Sequence, residues 1–178
     1  MKPDLTFALV KAAGTLATYC DRAEHSEVAD RQSVTAVALS LRSLAVATCH
    51  DTGFDLHTLY AERISEIERR HPAFADDMFD GASMVRIAKT WAQLQSAQYR
   101  HDQAYHPDVI GLAKWEQLRH YTLHISKLAM LSLETSETAA ERTAFLARRL
   151  PDIVIFGIKL STVCGERLSD EVGIDEVA

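Results

Sequence analysis

WEQLRHYTLHISKLAMLSLE, residues Trp115–Glu134, reads as a single helix with two distinct sides. At 100° per residue, Trp115, Leu118, Tyr121, Ile125, Leu128 and Ala129 fall on an arc of about 140°, the width of an ordinary core-facing stripe. Trp115 and Tyr121 are accordingly read as core residues. A second line, Gln117, His120, His124, Lys127 and Leu131, follows at spacings of three and four on another side. Two imidazoles and an ammonium in register are either a solvated face or the polar lining of a bundle.

Outward from this helix the chain keeps helical periods. No alternating pattern bounded by Asn-Gly or Asp-Gly turns marks a hairpin. The β-branched run Ile153-Val154-Ile155 belongs to a longer helical period with Ile158, Lys159 and Leu160. The expected fold is all-α, a bundle of about six to eight helices. Expected helices run over Leu5–Arg22, from Glu27 to about Cys49, and over Leu56–Arg70, the last stopped by His71-Pro72. Ser83 is expected to cap a helix reaching Tyr105, ended by His106-Pro107. After a turn at Thr135-Ser136-Glu137, Ala139–Arg149 is strongly helix-forming, and Pro151 places a break or kink at Leu150. Asp152–Cys164 is apolar nearly all round, hence the expected most buried helix, with Gly165 ending it and the acidic tail Glu166–Ala178 fraying.

Composition narrows the classes of function. The 178 residues are 47% hydrophobic and 25% charged, with a formal net charge of −6, ordinary for a globular protein and contrary to a general nucleic-acid-binding surface. Cys20, Cys49 and Cys164 are odd in number and outside any C-x-x-C pattern, which points to reduced thiols rather than a disulfide framework or a thiolate metal site. No apolar run suits a signal peptide, and none approaches the roughly 20 residues of a membrane span. A cytoplasmic protein with no membrane partner is expected.

Three segments carry a resemblance. PDIVIFGIKLSTVCGERLSDEV (Pro151–Val172), LHISKLAMLSLE (Leu123–Glu134) and WAQLQSAQYRHDQAYHP (Trp91–Pro107) resemble, in turn, the third, second and first helices of the MazG-like all-α nucleoside triphosphate pyrophosphohydrolases. The likeness spans about residues 82–172. In the first half, LVKAAGTLA (Leu9–Ala17) is similar to the same second helix, and FDLHTLYAERISEIERRHP (Phe54–Pro72) to the segment that closes the family's domain. The resemblance therefore implies an N-terminal helical half over 1–72, a degenerate repeat, then a connection over 73–81 and a MazG-like half over 82–178.

In that family, E-x-x-E on one helix and E-x-x-D on the next hold Mg²⁺, which activates water and neutralises phosphates. Here the two glutamate positions of E-x-x-E fall on His124 and Lys127, and E-x-x-D falls on Arg149 and Asp152, so one carboxylate of the four remains. In the first half neither Ala8 and Lys11 nor Ala12 and Thr15 supplies a carboxylate, while Glu27-Val28-Ala29-Asp30 keeps the E-x-x-D spacing. Ammonium and guanidinium groups cannot ligate Mg²⁺ and repel it at close range.

Three readings follow. In the first, the protein binds a nucleotide or other phosphorylated small molecule through His120, His124, Lys127, Arg149 and Asp152, with altered or lost hydrolysis and no metal ligands assigned. In the second it is a non-catalytic helical interaction protein; a homodimer is the expected assembly. In the third it is an active hydrolase that takes Mg²⁺ on relocated carboxylates such as Glu27, Asp30, Asp102, Glu134 and Asp152, and only this reading requires a cofactor. Two weaker patterns stand beside them. His120 and His124 at i and i+4 suit one face of a transition-metal site, and Arg119-x4-His124 resembles, in that motif only, helical HEPN-type ribonucleases.

Overall fold

The computed structural model describes residues 5–25, 30–71, 79–134 and 138–176. Among them the chain is all-α, with eight helices, no strand and one isolated bridge between Thr90 and Gly173. The helices are α1 (Leu5–Glu24), α2 (Arg31–Thr52), α3 (Leu56–Arg70), α4 (Gly81–Ile87), α5 (Trp91–Tyr105), α6 (Pro107–Ile110), α7 (Lys114–Glu134) and α8 (Ala139–Val163). Glu27 and the turn residues Thr135-Ser136-Glu137 lie outside the described residues, as does most of the 73–81 connection.

Caps written in the sequence start several helices. Asp30, Asp55 and Asp80 accept the backbone N–H groups of Gln32, Thr58 and Ser83, satisfying donors that a helix start leaves open. Gly53 closes α2 at φ 72°, a left-handed conformation that glycine adopts without Cβ strain.

Two long antiparallel pairs form the body. Thr6 of α1 hydrogen-bonds Ser132 of α7, while Cys20 near the other end of α1 lies 3.6 Å from Thr122, so the two helices run in opposite directions. On the other side, α2 lies along α8 so closely that a Cβ on Gly157 would come within 3.1 Å of the Ala38 carbonyl and 2.9 Å of Arg42 Cγ. α1 also packs on α2, and α7 on α8. A single apolar core runs through all four, with Leu9, Leu16, Leu41, Ile125, Ile153 and Ile158 buried in it together with Tyr60 of α3 and Leu94 of α5. By length and hydropathy α2 is the one described helix that meets the requirement for a membrane span; half of that stretch is buried inside the bundle, as in a core helix.

Four expectations are corrected. α8 runs unbroken through Pro151, where the missing N–H and the ring clash with the preceding turn would cost about 3 kcal/mol in an exposed helix. Here Leu150, Pro151 and Asp152 are all buried, and Asp152 is paired with Arg63, so tertiary packing holds the turn together. The helix expected from Ser83 to Tyr105 is two helices. Asp80, rather than Ser83, caps the first, and Thr90 caps the second by accepting Gln93 N–H while the Gln93 side chain accepts Lys89 N–H. That arrangement is a variant of the capping box, and Thr90-x-x-Gln93 was its signal.

The tail does not fray over its described length. Trp91 and Ala92 donate their backbone N–H groups to Val172 and Ser169, Trp91 Nε1 donates to the Glu176 carbonyl, and Leu168 and Ile174 join the core. The open donors at the start of α5 thus meet tail carbonyls. Trp115, finally, is 41% exposed in the first turn of α7 rather than part of the core.

The α2–α8 contact generates a test. Gly157→Ala gains up to about 1 kcal/mol of helix propensity, yet the close approach to Arg42 and Ala38 should cancel that gain, and Gly157→Leu should destabilise by about 1–3 kcal/mol or more. Denaturant unfolding of the two variants measures both. A Gly157→Leu protein as stable as the parent would contradict the close packing.

Candidate functional site

The cavity that matters lies between α3, α5, α6, α7 and α8 and has a volume of about 310 Å³, at the lower end of the range of small-molecule sites. The polar line of α7 enters it: His120, His124, Lys127 and Leu131 all line the wall. Arg149 and Asp152 of α8 face them, with Arg63 of α3, Asp102 and His106 from α5 and its end, and Lys159 of α8. All five residues singled out as ligand-binding from the sequence therefore border one cavity. Gln117, first in the α7 line, turns instead to a neighbouring hollow and donates to the carbonyls of Ile110 and Leu112.

Each carboxylate in the wall is held by a cation. Asp152 is 6% exposed and is bracketed by Arg63 Nε at 2.6 Å and Arg149 Nη1 at 3.3 Å. Asp102 is 3% exposed; its Oδ1 accepts from Lys159 Nζ at 2.8 Å and from Gln98 Nε2 at 2.8 Å. Tyr60 donates in turn to Gln98, completing a buried chain from α3 through α5 to α8. Burial alone would raise the Asp102 carboxyl, but the adjacent Lys159 ammonium, with His101, holds it below the usual carboxylate range. Among the described residues, no carboxylate forms an ion pair with Lys127, whose ammonium is exposed at the mouth.

Two imidazoles of the wall, His106 and His124, are held well below their ordinary titration range. Burial, then His120, Lys127 and Lys159, push His124 down to about 4, and burial with Lys159 pushes His106 to about 4. His120 is lowered for the same first reason, and Tyr121 is raised by burial and by Asp102. The His124 ring stacks on Phe156 at 5.1 Å, with the His120 ring 4.7 Å from it. Apart from the histidines, four cations, Arg63, Lys127, Arg149 and Lys159, and two carboxylates, Asp102 and Asp152, line the cavity, a surplus of basic side chains.

The alternative residue sets do not assemble. Of the five relocated carboxylates, Asp102 and Asp152 line the cavity, Asp30 caps α2, Glu134 is exposed at the end of α7 and Glu27 is outside the described residues. Arg119 is exposed and does not line the cavity that His124 borders. His120 and His124 gain no third His, Cys or carboxylate ligand among the described residues. Sequence reasoning missed Arg63, Lys159 and His106. Lys159 did leave a signal, as the one basic residue in the otherwise apolar stretch of α8 after Asp152. Arg63 left none, because an arginine in an amphipathic helix is ordinarily solvated.

No protein-family model, no curated protein and no solved structure matches this chain.

The depressed His124 titration has a consequence for stability. Below its unfolded value of 6.5 the unfolded chain takes up a proton that the folded protein does not bind until about pH 4. The contribution is fully present above 6.5 and is lost as pH falls through that window. Thermal midpoints should therefore drop on acidification from about pH 6.5 to about pH 4, and drop less in His124→Gln. Parallel curves for the two proteins would rule out a neutral, desolvated His124.

Proposed function

We propose that the protein binds a nucleotide or another phosphorylated small molecule in the α7–α8 cavity, on a divergent MazG-like frame whose pyrophosphohydrolase activity is altered or lost. One observation carries this reading: the four positions that align with the family's metal carboxylates, His124, Lys127, Arg149 and Asp152, line one cavity in which basic groups outnumber acidic ones. Where a metal would bridge carboxylates to phosphate, cations of the chain replace it. Arg149 offers a guanidinium suited to phosphate oxygens and Lys127 supplies a point charge at the mouth, while Arg63 is engaged by Asp152 and Glu66 and contributes positive charge to the wall. The antiparallel α1–α7 and α2–α8 pairs support the reading of the first half as a degenerate repeat of the second.

The setting proposed is cytoplasmic, where the three free cysteines stay reduced. A homodimer belongs to the same proposal. Phe7 of α1 and Leu123, Met130 and Leu133 of α7 are between 55% and 69% exposed, and Leu123 and Met130 lie two turns apart on one face. Analytical ultracentrifugation should show a dimer that Met130→Glu weakens; a monomer at every concentration removes this part of the proposal.

The binding site is tested with a nucleotide mixture titrated in the presence and absence of Mg²⁺. Weak binding should survive EDTA, fall with added salt, and weaken at least about tenfold in Lys127→Glu, since a charged hydrogen bond is worth about 1.5–3 kcal/mol. With sulfate as the probe, whose charge is constant over the range, affinity should rise as pH approaches 4, where His124 takes up its proton, and that rise should be missing in His124→Gln. Mg²⁺-dependent release of pyrophosphate, abolished by EDTA, would overturn the anion-site reading in favour of an active hydrolase. Absence of binding under both conditions would transfer support to the helical interaction protein.

A further inference from the structure

At the inner wall of the same cavity the chain turns sharply, and the turn brings three donor groups together. His101 and Asp102 lie in the last turn of α5, and His106 ends it. Five residues apart on a continuous helix, His101 and His106 would point some 140° away from each other. Pro107 prevents that continuation by disfavouring helical angles at the residue before it. His106 adopts φ −137°, ψ 45°, and its ring is thereby re-aimed. One donor atom from each of His101, Asp102 and His106 then lies within 4.8 Å of the other two.

A second, independent feature singles out this cluster. His101 is 1% exposed, and among the described residues neither ring nitrogen has a hydrogen-bond partner. Its Nδ1 is 3.5 Å from Asp102 Oδ1, a charge contact without hydrogen-bond geometry, and its flat face is covered by Tyr105 at 4.8 Å. A buried imidazole with both nitrogens unsatisfied is costly unless something absent from the protein chain takes a lone pair. The acceptor capacity of Asp102 is also divided. Oδ1 carries the hydrogen bonds from Gln98 and Lys159, and Oδ2 receives none from the described residues.

We infer that His101, Asp102 and His106 form a binding site for one divalent first-row transition metal, with Asp102 ligating through Oδ2 and the open coordination positions facing the cavity. Two imidazoles and one carboxylate suit Zn²⁺ or Co²⁺ and not Mg²⁺, which requires a shell of oxygen ligands. In a tetrahedral site, bonds of about 2.0–2.2 Å set ligand atoms about 3.3–3.6 Å apart. Metal binding therefore requires side-chain rotation that closes the widest separation, at most 4.8 Å, by up to about 1.5 Å. Lys159 opposes the metal, because its ammonium sits 2.8 Å from the other Asp102 oxygen. That opposition makes the site distinguishable from an exposed histidine pair. Removing the ammonium should strengthen metal binding here and leave binding elsewhere unchanged.

The experiment uses the full chain, stripped of metal, and Zn²⁺ or Co²⁺ alone without nucleotide, so its outcome is independent of the anion reading. Calorimetry should show one equivalent of Zn²⁺ per chain, and Co²⁺ should give visible absorption bands of a nitrogen- and oxygen-ligated site. His106→Ala should weaken Zn²⁺ binding by more than about a hundredfold, beyond the effect of losing an outer-shell partner, with helicity unchanged. Lys159→Met should bind at least about tenfold more tightly, and His124→Ala should bind as the parent does. Absence of a stoichiometric equivalent would overturn the inference. So would binding that survives His106→Ala, or that is lost in His124→Ala.

Discussion

The buried pair of Asp102 and Lys159 is the interaction on which the site depends. Both side chains sit on the buried faces of their helices and are withdrawn from water. Desolvating two charges is expensive, and their attraction compensates only when the remaining lone pairs and protons are also satisfied. Gln98 bridges Asp102 to the Tyr60 hydroxyl, so α3, α5 and α8 are tied at one point. Sliding α5 by one turn along α8 would leave a carboxylate, an ammonium and a phenol unpaired in the core. Such a network selects one register among many that hydrophobic burial alone would tolerate.

The same pair sets the character of the cavity. Its ammonium places a cation at the floor, pulls the carboxylate below its ordinary range, and helps push His106 and His124 down, against the opposing effect of Asp102 on His106. Arg63 and Arg149 repeat the pattern at Asp152, where two guanidiniums hold one carboxylate. The positive surplus thus comes from an excess of basic groups on α3 and α8, with Lys127 added at the rim, where no carboxylate of the described residues pairs with it. Aromatic rings from Tyr121 and Phe156 surround Lys159 at 5.7 and 5.9 Å, which limits access of water to its charge.

Local signals were legible to the extent that they are local. Leu56–Arg70 has the bounds that its period and the His71-Pro72 stop specify, and Trp115–Glu134 is extended by one residue. The line His120, His124, Lys127 and Leu131 was visible as a line, because helical spacing is a property of the chain. Whether it faced solvent or a cavity was decided by α3, α6 and α8 closing over it. Pro151 and Leu150 misled for a related reason. An isolated proline breaks a helix, but a proline packed in a core beside an ion-paired aspartate does not need to. The tail misled because its acidic composition concealed Leu168 and Ile174, which earn burial only against the start of α5.

By itself the sequence determined the helical class, the apolar centre of α8 and the alignment of basic residues with positions that resemble a metal-binding pattern. These follow from interactions between residues three or four apart, which any helix must make. Only the tertiary structure decided that Arg63 and Lys159 join that line, that Asp102 and Asp152 are neutralised within it, and that His101 is buried without a hydrogen-bond partner among the described residues. Those outcomes rest on residue pairs separated by 57 and 89 positions in the chain, Asp102 with Lys159 and Arg63 with Asp152. Charge pairing over such separations has no periodic trace in a sequence; it appears only when packed helices bring the partners within a few ångströms and exclude the water that would otherwise screen them.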